Sequence, residues 1–292
     1  MKIGMIGLGA MGLPIAKCLL KAGYELHAFD LAEKARQEIK KEGASVYQAA
    51  GDIGLEADII MSSLPNASIV ESVINEITGR DELRADTWLD LSSIAPASAA
   101  AFAGRLKEKG ISYMDCPVSG GVQGAVQGTL TVMAGGPDET FEKVTEILET
   151  IGKKIYHVGG VGAGSGIKMV NNFMLGCNMA AAAEALVMGS RLGLDLDTMY
   201  EIIRNSSGRS FIIENKIPNF IQKRNFSGGF AIDLQYKDLG LAMETAKALS
   251  MPVHMGSTAV QMFETARAKG YGRDDITALV KMEEELMDVE VK

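Results

Sequence analysis

Two hydrophobic periods run through the chain, one after the other. Up to about Val158, short apolar runs of strand length ("MKIGMIG", "ELHAFD", "ADIIMSSL", "TWLDLS", "SYMDCPV", "LTVMAGG") alternate with amphipathic stretches. The latter ("PIAKCLLKAG", "ARQEIKKEG", "IVESVINEI", "AAAFAGRLKEKG", "ETFEKVTEILETIG") repeat apolar positions at three and four residues, the spacing of one helix face. Strands alternating with helices predict parallel βαβ units and a doubly wound, mostly parallel sheet of the Rossmann type. Beyond Gly162 the strand signal fades. Helical patterning continues, broken at "GLDLD", "NSSGRS", "RNFSGGF", "SMPVH" and "KGYGRDD". The expected organisation is an α/β domain over 1–161 and an all-α domain over 162–292, dividing inside "GGVGAG". No internal repeat or low-complexity tract is present.

Composition narrows the function. The formal net charge is -8 and no basic block stands out, which argues against nucleic acid and against an anionic membrane surface. Three cysteines (Cys18, Cys116, Cys177) form no CxxC pair, and three histidines (His27, His157, His254) show no metal-ligand spacing. The cysteines read as small apolar residues in a reducing compartment, and no metal is expected. No apolar run reaches the ~18 uninterrupted residues of a membrane span, since Asn171, Asn172, Asn178 and Glu184 break the longest. The N-terminus reads as a strand entering a turn rather than a signal peptide, so a cytoplasmic location is expected.

The 33 glycines change the picture, because they cluster ("GLGAMG", "SGGVQGAVQG", "GGVGAGSG"). The first cluster fits G-x-G-x-x-G with Gly7, Gly9 and Gly12, between a strand and a helix. In such a turn Gly7 permits the bend, Gly9 lets a pyrophosphate approach the backbone and Gly12 allows close packing. "ELHAFD" then ends in Asp30, where a carboxylate can accept from ribose hydroxyls and repel a 2′-phosphate; NAD(H) is favoured, with NADP(H) left open by nearby Lys34 and Arg36. Asp30 also reads as an ordinary strand-end acid or helix cap. The turns holding Leu64 with Pro65, and Ser93, end later strands, where ligands of open α/β sheets bind.

In the second cluster, Ser119, Gly120 and Gly121 can aim consecutive N–H groups at one point, a nest suited to a substrate carboxylate. A plain loop between strands is the other reading. "GSGIKMVNNF" then puts Lys168 and Asn172 four apart on one helix face, with Asn171 partly sharing it. Lysine can give or take the proton that carbonyl reduction or alcohol oxidation needs. A lysine snorkelling at a helix start is the bland alternative. Lys237 with Asp238 reads, taken alone, as a solvated surface pair. Arg209 in "SSGRS" is a candidate for a second substrate carboxylate or a structural residue. The methionines and Trp88 read as packing.

Together, "GLGAMGLPIA", "DCPVSGGVQGAVQGTLTVMAGG", "GAGSGIKMVNN" and "KDLGLA" resemble the β-hydroxyacid dehydrogenase (3-hydroxyisobutyrate dehydrogenase-like) family in order and spacing. The resemblance implies a Rossmann domain joined by a long interdomain helix to an all-α domain, with the site in the cleft between them. It implies hydride exchange between a short 3-hydroxy acid and its semialdehyde, and homodimers or homotetramers built on the helical domain. Carried onto matching positions, Lys168 is the implied general acid/base and Asn172 its substrate-orienting neighbour. Ser119, Gly120 and Gly121 hold the substrate carboxylate, Lys237 lies near the nicotinamide, and Ala10, Met11, Asp30, Leu64 and Ser93 contact the dinucleotide. Imine reduction on the same fold is the alternative enzyme class, but that branch usually lacks the lysine. A dinucleotide sensor would keep Gly7, Gly9 and Gly12 without reason to hold Lys168, Asn172 and the Ser119–Gly121 turn.

Overall fold

The computed structural model describes residues 1–292. The predicted βαβ alternation is realised as β1 (Lys2–Ile6), α1 (Gly12–Lys21), β2 (Glu25–Phe29), α2 (Glu33–Lys41), β3 (Ser45–Val46), α3 (Ile53–Glu56), β4 (Ile59–Ser62), α4 (Ala67–Thr78), β5 (Thr87–Asp90), α5 (Pro96–Lys107) and β6 (Ser112–Asp115). There follow β7 (Val118–Ser119), α6 (Gly121–Gln127), β8 (Leu130–Gly135), α7 (Asp138–Ile151) and β9 (Gly152–Gly159). Sheet order is β3-β2-β1-β4-β5-β6-β8-β7, with β9 also on β8. The first six strands are all parallel, whereas β8 runs antiparallel to β6 and β7 and parallel to β9.

The period of two along each strand explains why both faces are covered. Ile3, Met5, Ile59, Met61, Leu89 and Met114 point into one core with α1 and α7; Ile6, Ile60, Trp88 and Tyr113 point into the other with α4 and α5. Every one of them is at most 2% exposed, as expected for near-continuous apolar strands buried on both sides.

The second unit is built from α8 (Ala163–Arg191), α9 (Leu196–Arg204), α10 (Ile232–Ala248), α11 (His254–Ala268) and α12 (Leu279–Met287), with a π-helical segment over Ile212–Ile221 containing Pro218. Its own core gathers Met179, Ala183 and Leu186 of α8 with Ile212, Ile217, Leu239, Phe263 and Leu279. At 29 residues and hydropathy 1.3, α8 is long and apolar enough by length and composition to cross a bilayer. Its buried face instead belongs to this core.

Compact packing divides the chain into Met1–Lys168 and Met169–Lys292. The division thus lies inside α8, later than the glycine turn at 161/162. The reason is local: Asp115, fully buried at the end of β6, accepts from Gly162 N (2.7 Å) and Ser165 N (2.6 Å), tying the start of α8 to the sheet. β3, α3, α6 and β9 lie outside the predicted pattern, the first two being only two and four residues long. β9 is mostly exposed, with only Gly152 buried, and opens on two lysines, and α6 is short and rich in glycine. All three cysteines are free thiols, and burial pushes Cys18, Cys116 and Cys177 upward in pKa, so none is primed as a thiolate.

Candidate active site

The glycine turn after β1 divides its labour by packing. At Gly7 (φ +90) a Cβ would stand 2.3 Å from Ser63 O, and at Gly12 it would stand 1.9 Å from Gly7 O. Both positions therefore require glycine for the fold itself. Gly9 is different: a Cβ there would meet nothing within 4 Å, and the residue is exposed. Open space above backbone, beside the start of a helix with no side-chain cap, is where phosphate oxygens can reach unsatisfied N–H groups. Exposed Ala10 and partly buried Met11 border that space, so the turn fits a dinucleotide pyrophosphate.

Asp30 ends β2 partly exposed. Its carboxylate accepts from Leu8 N (2.6 Å) and Ala32 N (2.7 Å), so it braces the glycine turn against the start of α2. Each oxygen keeps a further lone pair for a ribose hydroxyl. Arg36 donates to the backbone carbonyls of Asp30 and Leu31 and to Gln48 Oε1, which commits its guanidinium locally. Leu64 and Pro65 follow β4, and Ser93 follows β5. Gly7, Asp30, Leu64 and Ser93 thus share the carboxyl edge of adjacent parallel strands.

At the second glycine cluster, Ser119 pairs with Thr131 of β8, and the chain turns into α6 through Gly120 (φ +132) and Gly121 (φ +64). Only glycine adopts these conformations readily. Gly121 is exposed with open space at its Cβ position, so the turn leaves backbone accessible beside the Ser119 hydroxyl.

The i, i+4 relation of Lys168 and Asn172 holds, since both lie on α8. Lys168 is partly buried; Asn172 is 2% exposed. Asn172 Nδ2 donates to Asp238 Oδ2 at 2.5 Å, Asn171 Nδ2 donates to Asn172 Oδ1 at 3.0 Å, and Gln235 Nε2 donates to Asn172 O at 2.8 Å. Lys237 Nζ stands 3.1 Å from Asp238 Oδ1. Read alone, the Lys237–Asp238 pair is expected to be solvated, and this is corrected here: Asp238 is 4% exposed. Its burial follows from α10 packing on α8, and a buried carboxylate needs the partners it has. Gln235 was not singled out from sequence, and Asp238 only as the solvated partner of Lys237, although their i, i+3 spacing puts both on one face of α10. Arg209 lies exposed in the turn after α9 and belongs to none of these bonds.

A glycine turn that fits a dinucleotide pyrophosphate on a Rossmann sheet, followed by a helix carrying lysine and a buried asparagine, is the arrangement of an NAD(P)-dependent oxidoreductase. Residues 2–159 match the NAD binding domain of 6-phosphogluconate dehydrogenase, and residues 162–282 match the NAD-binding domain of NADP-dependent 3-hydroxyisobutyrate dehydrogenase. The chain is 49% identical to 2-(hydroxymethyl)glutarate dehydrogenase of Eubacterium barkeri, covering 99% of this chain and 97% of that one. It is 38% identical to the mitochondrial 3-hydroxyisobutyrate dehydrogenase of Drosophila melanogaster, covering 95% and 87%. Among solved structures it superposes on Mycobacterium tuberculosis 3-hydroxyisobutyrate dehydrogenase with L-serine at a TM-score of 0.90, with 30% identity and coverage of 96% and 98%. The chain belongs to the β-hydroxyacid dehydrogenase family, the 3-hydroxyisobutyrate dehydrogenase-like group of enzymes acting on CH–OH donors.

Proposed function

We propose that the protein interconverts a short 3-hydroxy acid and its semialdehyde, with NAD(H) preferred over NADP(H). The substrate pair we favour is 2-(hydroxymethyl)glutarate and 2-formylglutarate, with 3-hydroxyisobutyrate and tartronate semialdehyde next. The observation that carries this reading is the full-length 49% identity to a 2-(hydroxymethyl)glutarate dehydrogenase. When bound, the nicotinamide accepts or supplies the hydride. Lys168 is the general acid/base: it takes the hydroxyl proton in oxidation and returns it to the oxygen in reduction. Asn172 orients the lysine and the reacting oxygen without adding charge, its own amide being held by Asp238. Ser119, Gly120 and Gly121 receive the substrate carboxylate, Arg209 a second one, and Lys237 lies by the nicotinamide. Asp30 reads the ribose, and Gly7, Gly9, Ala10, Met11, Gly12, Leu64, Pro65 and Ser93 form the dinucleotide seat.

The enzyme works as a homodimer or homotetramer. In support, α8 exposes Val170, Met174 and Met188 (53%, 55% and 63%) as an apolar stripe at helical spacing, which Leu192 (74%) continues just past its end. Light scattering checks the oligomer. The test of function is a rate panel in which NADH, with NADPH alongside, is offered with 2-formylglutarate, methylmalonate semialdehyde, tartronate semialdehyde and succinic semialdehyde. Fastest turnover of 2-formylglutarate is expected. No turnover of any aldehyde by protein that still binds NADH would overturn the reading.

A further inference from the structure

Asp90 ends β5 with no exposure at all, and nothing in the proposed chemistry uses it. Its Oδ1 accepts from Ser62 Oγ (2.9 Å) and Ser92 N (3.0 Å), and its Oδ2 accepts from Tyr113 OH (3.0 Å). Trp88 Nε1 donates to Ser62 Oγ at 2.8 Å, so the hydrogen bonds span β4, β5 and β6. Ser92, whose amide Asp90 holds, accepts in turn through its own Oγ from Leu64 N at 2.9 Å. Leu64 and Ser63 in turn pack on Gly7, where a Cβ would sit 3.1 Å from Leu64 Cδ2 and 2.3 Å from Ser63 O. A continuous line of contacts therefore runs from Asp90 through Ser92 and Leu64 to the phosphate turn.

We infer that Asp90 is a positioning residue for the dinucleotide: by holding the Ser92 amide it sets the Ser92 hydroxyl against Leu64 N, locks the turn after β4 to the turn after β5 and fixes the edge of the cofactor seat. Holding strands together does not require a carboxylate, since buried charge is costly and apolar contacts would serve. Burial pushes the Asp90 carboxyl above its ordinary range. What the carboxylate adds is a strong acceptor for Ser92 N, which fixes where the Ser92 hydroxyl meets Leu64 N. Tyr113 and Ser62 hold the carboxylate, while Ser92 transmits its position.

The inference rests on dinucleotide binding at this edge and is tested on the full-length protein by NADH fluorescence titration, with thermal melting alongside. Ser92→Ala removes only the relay and should raise the Kd for NADH about 5- to 10-fold, the equivalent of one net hydrogen bond. KM for NADH should rise with it, while kcat at saturating NADH holds. Asp90→Asn should do at least as much. Tyr113→Phe, which loosens the far oxygen, should lower the melting temperature and leave Kd within about twofold. Ser92→Ala binding NADH like the parent, or Tyr113→Phe weakening binding equally, overturns the inference and makes the network purely structural. Should Asp90→Asn not fold, Ser92→Ala decides. A parent protein that binds neither NADH nor NADPH would instead sink the dinucleotide reading itself.

Discussion

The Asn172 side-chain amide donates to the buried carboxylate of Asp238 across 2.5 Å, joining α8 to α10. This bond fixes which way the amide faces, because a carboxylate can only accept. Asp238→Ala would leave a buried amide unpaired and should cost about 1–3 kcal/mol of stability in urea unfolding. A double-mutant cycle with Asn172→Ala is expected to give a coupling of about 0.5–3 kcal/mol. Strict additivity would mean that Asp238 does not hold the amide.

Lys168→Ala should lower kcat by ~10²–10⁴, the usual contribution of positioned proton transfer. NADH affinity should stay at the parent value, since the dinucleotide seat lies on other residues. Normal turnover by this variant would remove Lys168 from the mechanism.

The glycine turn gives a paired test that separates folding from binding. Gly12→Ala puts a Cβ 1.9 Å from Gly7 O and should destabilise by about 3 kcal/mol or more. Gly9→Ala meets nothing within 4 Å and should melt with the parent, yet lose about tenfold or more in NADH affinity. Melting curves and titration on the same two proteins decide it; equal NADH affinity of Gly9→Ala and parent would place the pyrophosphate elsewhere.

Two roles meet at Asp30, the observed brace of the glycine turn and the proposed ribose contact, and different substitutions separate them. Asp30→Asn keeps an acceptor for one backbone amide and should narrow the preference for NADH over NADPH, read as the ratio of kcat/KM. Asp30→Ala should do the same and also lose about 1–3 kcal/mol, because Leu8 N and Ala32 N lose their acceptors. An unchanged ratio in both variants would mean that the ribose is read by other residues.

Much of this site was legible because it is local. Gly7, Gly9 and Gly12 carry a turn that needs only its own neighbours, and Lys168 with Asn172 follows from helix geometry alone. Asp238 and Asp115 were not legible in the same way. Asp238 meets Asn172 across 66 positions, and Asp115 meets Ser165 across 50, so only the packed topology reveals either bond. The adjacent lysine made Asp238 look solvated, and no short-range pattern marks a strand-end aspartate as the anchor of a later helix. α6 and β9 escaped for a related reason. An edge strand is half polar, and a glycine-rich helix of seven residues owes its existence to packing rather than propensity.

Asp115 also gives the protein a pH signature. Burial raises its folded value above the ordinary 3.8, so the folded protein takes up this proton at higher pH than the unfolded chain. The cost of keeping it ionised is then relieved as the pH falls through the raised value, and relief is complete below about 3.8. Relative to Asp115→Asn, the parent should therefore gain stability between neutrality and about pH 4. Melting temperatures of both proteins across that range check the sign; a margin that shrinks on acidification contradicts it.

The compact division of the chain falls between Lys168 and Met169, yet α8 runs through it without a break. Lys168 and Asn172 fall on either side of that division, four residues apart in one helix, a rise of about 6 Å. Their register is a matter of chain length rather than of hinge geometry. One residue gained or lost between them would turn one against the other by about 100°. The turns at "GLDLD" or "KGYGRDD" have no such arithmetic to obey. Loops elsewhere in the helical half can change length without touching that register, while these five consecutive positions must keep their count.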